Sequence, residues 1–130
     1  MSLLDAALQY QQRGFHPIPL EPRGKRPLVP WRMYQDMPPA RAEVERWWTE
    51  NPEANVGLVL GRGTFAVDCD SAEAWALVQP LLPADTPVSK TAKGFHAFLR
   101  GTLPDRVGVL PGVDVRGVGY VVAPPSIHET

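Results

Sequence analysis

The stretch Thr64-Phe65-Ala66-Val67-Asp68-Cys69-Asp70 constrains the fold more than any other. Phe65, Val67 and Cys69 are apolar at alternate positions, and the positions between them end in two carboxylates. Side chains alternate faces along a strand. The pattern therefore predicts a strand with one face in a core and with Asp68 and Asp70 on the other, roughly 6–7 Å apart along the backbone. Like charges that close disfavour each other's ionisation, and a cation between them removes that cost. Magnesium takes oxygen ligands, commonly one or two carboxylates together with substrate phosphates. The stretch reads either as a divalent-metal clamp for phosphoryl chemistry or as a strand end followed by an Asp or Ser helix cap. Cys69 lies between the carboxylates in sequence but is expected to point into the core, as a buried thiol and not a nucleophile.

A chain of 130 residues is expected to form one domain, long enough for a real core. Its 44% hydrophobic and 21% charged content is that of a globular protein. No segment approaches the roughly 18 consecutive apolar residues of a membrane span, so no membrane association is expected. Met1-Ser2-Leu3-Leu4-Asp5 lacks the basic start and apolar run of a signal peptide. A single cysteine excludes an internal disulfide, which favours a reducing, cytoplasmic setting. The net charge of −1 argues against holding duplex DNA by broad electrostatics, so any nucleic-acid contact must be local or supplied by another module. Fifteen prolines, spread among connections, imply stiffened loops and no disordered tail.

Ser2 and Asp5 form an imperfect capping box before a first helix carrying Leu4, Ala7, Leu8 and Gln11, which Gly14 stops. Phe15 to Leu20 predicts a short strand, at an edge because Pro17 and Pro19 lack a backbone donor. Glu21-Pro22-Arg23-Gly24-Lys25-Arg26-Pro27 is a turn with three cations. It reads as a solvated basic loop or as a phosphate-contacting one, without the spacing of a Walker A motif. Pro38 and Pro39 suit the start of a second helix with Val44, Trp47 and Trp48 as its apolar stripe, ended by Asn51-Pro52. Helical spacing assigns the tryptophan pair to the core before a base-stacking platform.

Asn55 to Leu60 predicts a strand that Gly61-Arg62-Gly63 links tightly to Thr64–Asp70, the two reading as a hairpin. Ser71 caps a third helix with Trp75, Val78, Leu81 and Leu82, closed by Pro83. Val88 to Thr91 and Phe95 to Arg100 predict two strands joined by the loop Ala92-Lys93-Gly94. Val113-Asp114-Val115-Arg116 alternates again, and Tyr120-Val121-Val122 predicts a last strand. If the strands carrying Asp68 and Asp70, His96, and Asp114 and Arg116 neighbour one another, their polar faces form one surface. A half-buried sheet explains polar alternation anywhere, but this set is rich in metal-ligating and phosphate-binding types.

These motifs resemble those of the prim-pol domain of bifunctional DNA primase/polymerases, in the archaeo-eukaryotic primase superfamily. The resemblance runs nearly end to end. It takes in Arg13 to Leu20, Gly24-Lys25-Arg26-Pro27, Trp47-Trp48, Asn55-Val56-Gly57-Leu58 and Val67-Asp68-Cys69-Asp70. It continues through Thr91 to His96, Gly112 to Gly117 and Tyr120 to Ser126. The resemblance implies an α+β fold: an RRM-like mixed or antiparallel catalytic sheet with flanking helices, plus a small N-terminal α/β module. It implies that Asp68, Asp70 and Asp114 bind Mg2+ or Mn2+ in a two-metal site, and that His96 contacts the phosphates of the incoming nucleotide. The residue two before that histidine is often serine in the superfamily and is Gly94 here. The sequence stops at Ile127-His128-Glu129-Thr130, where prim-pol proteins usually continue, so residues 1–130 are expected to be a catalytic core or a minimal version.

The expected reaction is template-dependent transfer from a dNTP or NTP to a 3′-hydroxyl on single-stranded or primed DNA. Arg116 suits bidentate phosphate contact. Lys90, Lys93, Ser126 and Lys25 are weaker candidates for nucleotide binding. Two other readings stay open. One is a non-catalytic core that binds nucleotide or template for a partner helicase module. The other is a metal-dependent nuclease using the same carboxylates. The resemblance also implies a prokaryotic mobile element or phage-like replicon.

Overall fold

A computed structural model describes residues 2–126, and Ile127-His128-Glu129-Thr130 lies outside the described residues. Helix α1 (Leu3–Gln12) begins with a complete capping box: the Ser2 side chain accepts from the Asp5 N–H, and the Asp5 carboxylate accepts from the Ser2 N–H. Gly14, at φ 88°, turns the chain out of the helix. Strand β1 (Pro17–Leu20), a 3-10 turn at Arg32–Gln35, helix α2 (Arg41–Glu50) and strand β2 (Asn55–Leu60) follow.

Strand β2 lies between β1 and the last strand, β8 (Gly119–Ala123), in an antiparallel three-stranded sheet. The proline-bearing β1 stands at the edge, as its missing donors require. Helices α1 and α2 pack on this sheet, with Tyr10, Val44, Trp47 and Trp48 joining Ile18, Val56 and Leu58 in one core. The Tyr10 hydroxyl donates to the Pro124 carbonyl at 2.6 Å and ties the end of β8 to α1. The module expected at the N-terminus is thus completed by a strand from the far end of the chain.

The second sheet has the order β4-β5-β3-β7-β6 and is also antiparallel throughout. It comprises β3 (Thr64–Cys69), β4 (Val88–Lys90), β5 (Phe95–Arg100), β6 (Arg106–Leu110) and β7 (Val113–Arg116). Helix α3 (Ala72–Val78) starts at Ser71, whose Oγ accepts from the Ala74 N–H at 3.0 Å. It covers one face of this sheet, over Val67, Cys69, Ala97 and Val113. On the opposite face Ala66 and Phe98 are buried in the first core. The face that carries Asp68 is therefore the one turned towards the first sheet.

The hairpin expected between 55–60 and 64–70 does not form. Only the bridge between Gly61 and Thr64 joins the two segments, and the Gly61-Arg62-Gly63 link carries the chain from one sheet to the other, with Gly63 at φ 97°. The physical reason lies in the burial patterns. All six residues of β2 are buried, as in a strand covered on both faces, whereas β3 leaves Phe65 and Asp68 partly exposed. Strand β6, which the sequence did not predict, is exposed at all five residues and forms the outer edge.

Candidate functional site

Asp68 stands directly opposite His96 of β5 on one side and Asp114 of β7 on the other. Directly opposed residues share a face of the sheet, so the three side chains form a row across its central strands. His96 Nε2 lies 3.3 Å from Asp68 Oδ1. The row is only partly open to solvent, with the Asp68 side chain 33% and the His96 side chain 18% exposed. Asp114 Oδ1 accepts the Gly108 N–H at 2.8 Å. That donor comes from an irregularity in the sheet: residues 107–109 of β6 lie against Asp114 alone, and Gly108, at φ 69°, turns inward. Two like charges opposed across a strand pair are unfavourable by themselves, so the arrangement is one that a cation relieves.

Asp70 lies one residue beyond β3 and is exposed. Its N–H donates to the Gly112 carbonyl at 3.0 Å, and its carboxylate rests where a Cβ on Gly112 would be. Among the described residues, no three His, Cys, Asp or Glu side chains converge to hold a metal ion. Asp70, expected on the same face as Asp68, instead lies with Ser71, Ala74 and Gly112 on the side of the sheet that α3 covers, because the strand ends at Cys69 before the alternation reaches it. Asp68 and Asp114 offer hard oxygens on adjoining strands, the donor type that magnesium or manganese takes together with phosphates and water. Cys69 is fully buried, as expected. Burial pushes its thiol up, and the flanking Asp68 and Asp70 push it further, so it stays protonated at neutral pH.

A cavity of about 440 Å³ lies between the sheets and shares His96 with the row. The second sheet and the turn after β4 contribute Ser89, Thr91, His96 and Arg116 to its wall, and β8 contributes Gly119 to Val122. Lys25 and Trp31 close it from the segment joining β1 to α2. The Trp31 and Tyr120 rings meet edge to face with centroids 5.0 Å apart, and the Arg32 guanidinium lies 5.3 Å from the Trp31 ring centre. The cavity therefore combines basic groups (Lys25, His96, Arg116) with an aromatic pair, at a volume that suits a small organic phosphate.

Of the residues predicted from sequence, the structure brings together Asp68, His96 and Asp114 in the row, and His96, Arg116 and Lys25 at the cavity. Lys90 pairs with Phe95, on the face opposite to the Ser89–His96 pair. Lys93 sits exposed in the β4–β5 turn, outside the cavity wall. Ser126 serves β2: its Oγ accepts the Val56 N–H at 2.7 Å and donates to the Val56 carbonyl at 3.1 Å. Trp47 and Trp48 are 3% and 1% exposed, which makes them core.

Sequence reasoning missed Ser89, Thr91, Trp31 and Tyr120 as wall residues. Ser89 was legible, because a β4–β5 hairpin sets it opposite His96. Trp31 lies in an irregular segment with no periodicity to read. Gly94 also gains a physical reason. A Cβ there would overlap the Cys69 carbonyl oxygen, so the turn before His96 packs backbone to backbone against the end of β3. No serine fits at that position.

Among the described residues, no helix is long and apolar enough to cross a membrane. A search of the curated proteins finds no match to the chain. The family model for the N-terminal domain of bifunctional DNA primase/polymerases matches residues 7–130, a span that includes every residue of the row and of the cavity wall. The chain thus belongs to the Prim-Pol family, the N-terminal domains of bifunctional DNA primase/polymerases.

Proposed function

We infer that the chain is a template-dependent DNA primase/polymerase that transfers a nucleotide from a (d)NTP to a 3′-hydroxyl. The observation that carries this reading is the Asp114–Asp68–His96 row beside a cavity walled by Lys25 and Arg116. Carboxylates for a cation and basic groups for a triphosphate thereby adjoin, with His96 common to both. In the reaction the 3′-oxygen bonds to the α-phosphorus, the bond from that phosphorus to the bridging oxygen breaks, pyrophosphate leaves, and the hydroxyl proton passes to water. Asp68 and Asp114 would hold Mg2+ or Mn2+, which activates the hydroxyl and neutralises phosphate charge.

The chain's own groups do the rest. His96 donates to a phosphate oxygen while Asp68 orients its ring. Arg116 offers a planar fork of donors to the triphosphate, and Lys25 a point charge. Trp31 and Tyr120 give the sugar or base an apolar wall and exclude water beside the phosphates. No general base is required, since phosphoryl transfer proceeds largely by positioning and charge neutralisation. With a net charge of −1, the contact with single-stranded or primed DNA is local, and a helicase module is the natural supplier of further grip.

One observation favours a second reading, a nucleotide- and template-binding core without turnover: the Asp70 carboxylate rests on Gly112, and no three metal-ligating side chains converge among the described residues. Primer extension with labelled dNTPs and magnesium or manganese separates the two, with Asp68→Ala/Asp70→Ala alongside. Extension by the parent and none by the variant supports the enzyme. Metal-dependent dNTP binding without extension supports the binding core.

A further inference from the structure

Asn55 opens β2, a strand that is otherwise apolar and buried throughout, and is itself 2% exposed. Asparagine is a poor strand former, and a buried amide needs partners. Its Nδ2 donates to the Gly24 carbonyl at 2.8 Å. Asn55 also stands opposite Leu20, the residue at which the chain leaves β1 for the basic loop. That loop is closed on itself. The Glu21 N–H donates to the Arg26 carbonyl at 2.8 Å, the Gly24 N–H donates to the Glu21 carbonyl at 3.0 Å, and Leu20 bridges Pro27. Arg23 sits at φ 59°, a conformation L-residues rarely adopt, so the loop keeps one shape against local preference. The residue after Gly24 is Lys25, which lines the cavity.

We propose that Asn55 is a positioning residue: by holding Gly24 from beneath the basic loop, it sets Lys25 against the phosphates of a nucleoside triphosphate in the cavity between the sheets. The proposal rests on the nucleotide reading above. A lysine is a point charge on a flexible stem, so the placement of its backbone decides how much freedom it loses on binding. A loop fixed at Gly24 has that placement before the nucleotide arrives.

A double-mutant cycle tests this, read as dATP affinity by calorimetry in magnesium. Lys25→Ala should weaken binding by about tenfold, the scale of one charge-assisted contact. Asn55→Ala should weaken it by a similar factor, and Asn55→Ala/Lys25→Ala should bind no worse than the weaker single variant. Limited trypsin digestion supplies a second readout, because Arg23 and Lys25 are cleavage points. Asn55→Ala should speed cutting at both while leaving cutting after Arg62 unchanged. If Asn55→Ala does not fold, Asn55→Ser, too short to reach Gly24, takes its place in both assays. Losses that multiply in the double variant overturn the proposal, as does parental affinity in Asn55→Ala. An effect of His96→Ala without one of Lys25→Ala overturns it too, with the nucleotide reading intact. A parent chain that binds no dATP in magnesium or manganese overturns that reading and the proposal with it.

Discussion

Strand β2 is buried at every residue from Asn55 to Leu60, while β3, one glycine-rich link away, leaves Asp68 partly open. The neighbours differ in the same sense. Strands β1 and β8 flank β2 with apolar side chains under α1 and α2, whereas β5 and β7 flank β3 with His96 and Asp114. Three strands with two helices thus carry most of the core, and five strands under one short helix carry the polar row. The contrast teaches where substitutions should be felt. Changes among the apolar side chains between the first sheet and its two helices should act on stability. Changes in the polar row of the second should act on chemistry and leave the fold alone.

The largest expected effect is in that row. Asp68→Ala should lower primer extension on the order of 10³-fold, the scale of losing a transition-state charge partner. Its metal-free melting temperature should stay level or rise, since the substitution removes one of two carboxylates opposed across β3 and β7. Scanning calorimetry beside the extension assay checks both halves. A fall of many degrees would mean that the row is a structural element, and the contrast between the sheets would break.

The converse variant is Trp48→Ala. Trp48 is 1% exposed, packs against Trp47 and donates from Nε1 to the Ala54 carbonyl at 2.9 Å. Truncation should destabilise the chain by about 3–5 kcal/mol in urea unfolding. At temperatures where the variant is still folded, its metal-dependent dNTP affinity should match the parent's. A selective loss of affinity would place the tryptophan pair in the site instead of the core.

Tyr10 gives a smaller effect with a defined pH window. Burial raises its phenol from 10.0 to about 12, against a weaker downward pull from Arg13. The folded chain therefore holds this proton more tightly than the unfolded one. Its contribution is full below pH 10 and is lost as the pH rises through 12. Holding the proton about a hundredfold more tightly corresponds to about 2–3 kcal/mol across that window. Tyr10→Phe should cost about 1 kcal/mol at neutral pH through the lost bond to Pro124, and its stability should then decline less steeply above pH 10. Urea midpoints at pH 8 and pH 11 test this. Parallel declines would show that the phenol is not the group that titrates.

Much of this was legible because it is periodic. Alternation in 64–70, 95–100 and 113–116 gave the three strands of the row, and if they are neighbours their polar faces must coincide. The capping residues Ser2 and Ser71 and the edge prolines of β1 were likewise readable from local chemistry. Pairing across long separations was not. Strand β8 joins β2 over some sixty residues, and nothing local to 55–60 marks that partner or excludes the nearer β3. The uninterrupted apolar run of β2 was the one available warning against a hairpin. The cavity was hidden for the same reason. Its wall combines Trp31, Ser89 and Tyr120 from three distant segments, and no motif spans them.

The smallest effect belongs to the edge of the second sheet. Val107 of β6 is 86% exposed, and the strand buries no residue. An exposed apolar edge is a template for unwanted pairing, which a charged side chain suppresses. Val107→Lys should therefore change unfolding free energy by no more than about 0.5 kcal/mol, as at other surface positions. Extension activity should also hold, because the contact from β6 to the row is the backbone N–H of Gly108 on Asp114, which a side chain at 107 does not supply. A loss of stability would mean that β6 is covered in solution. A loss of activity with stability intact would mean that the Gly108 turn responds to its neighbour, and that the edge of the sheet takes part in setting Asp114.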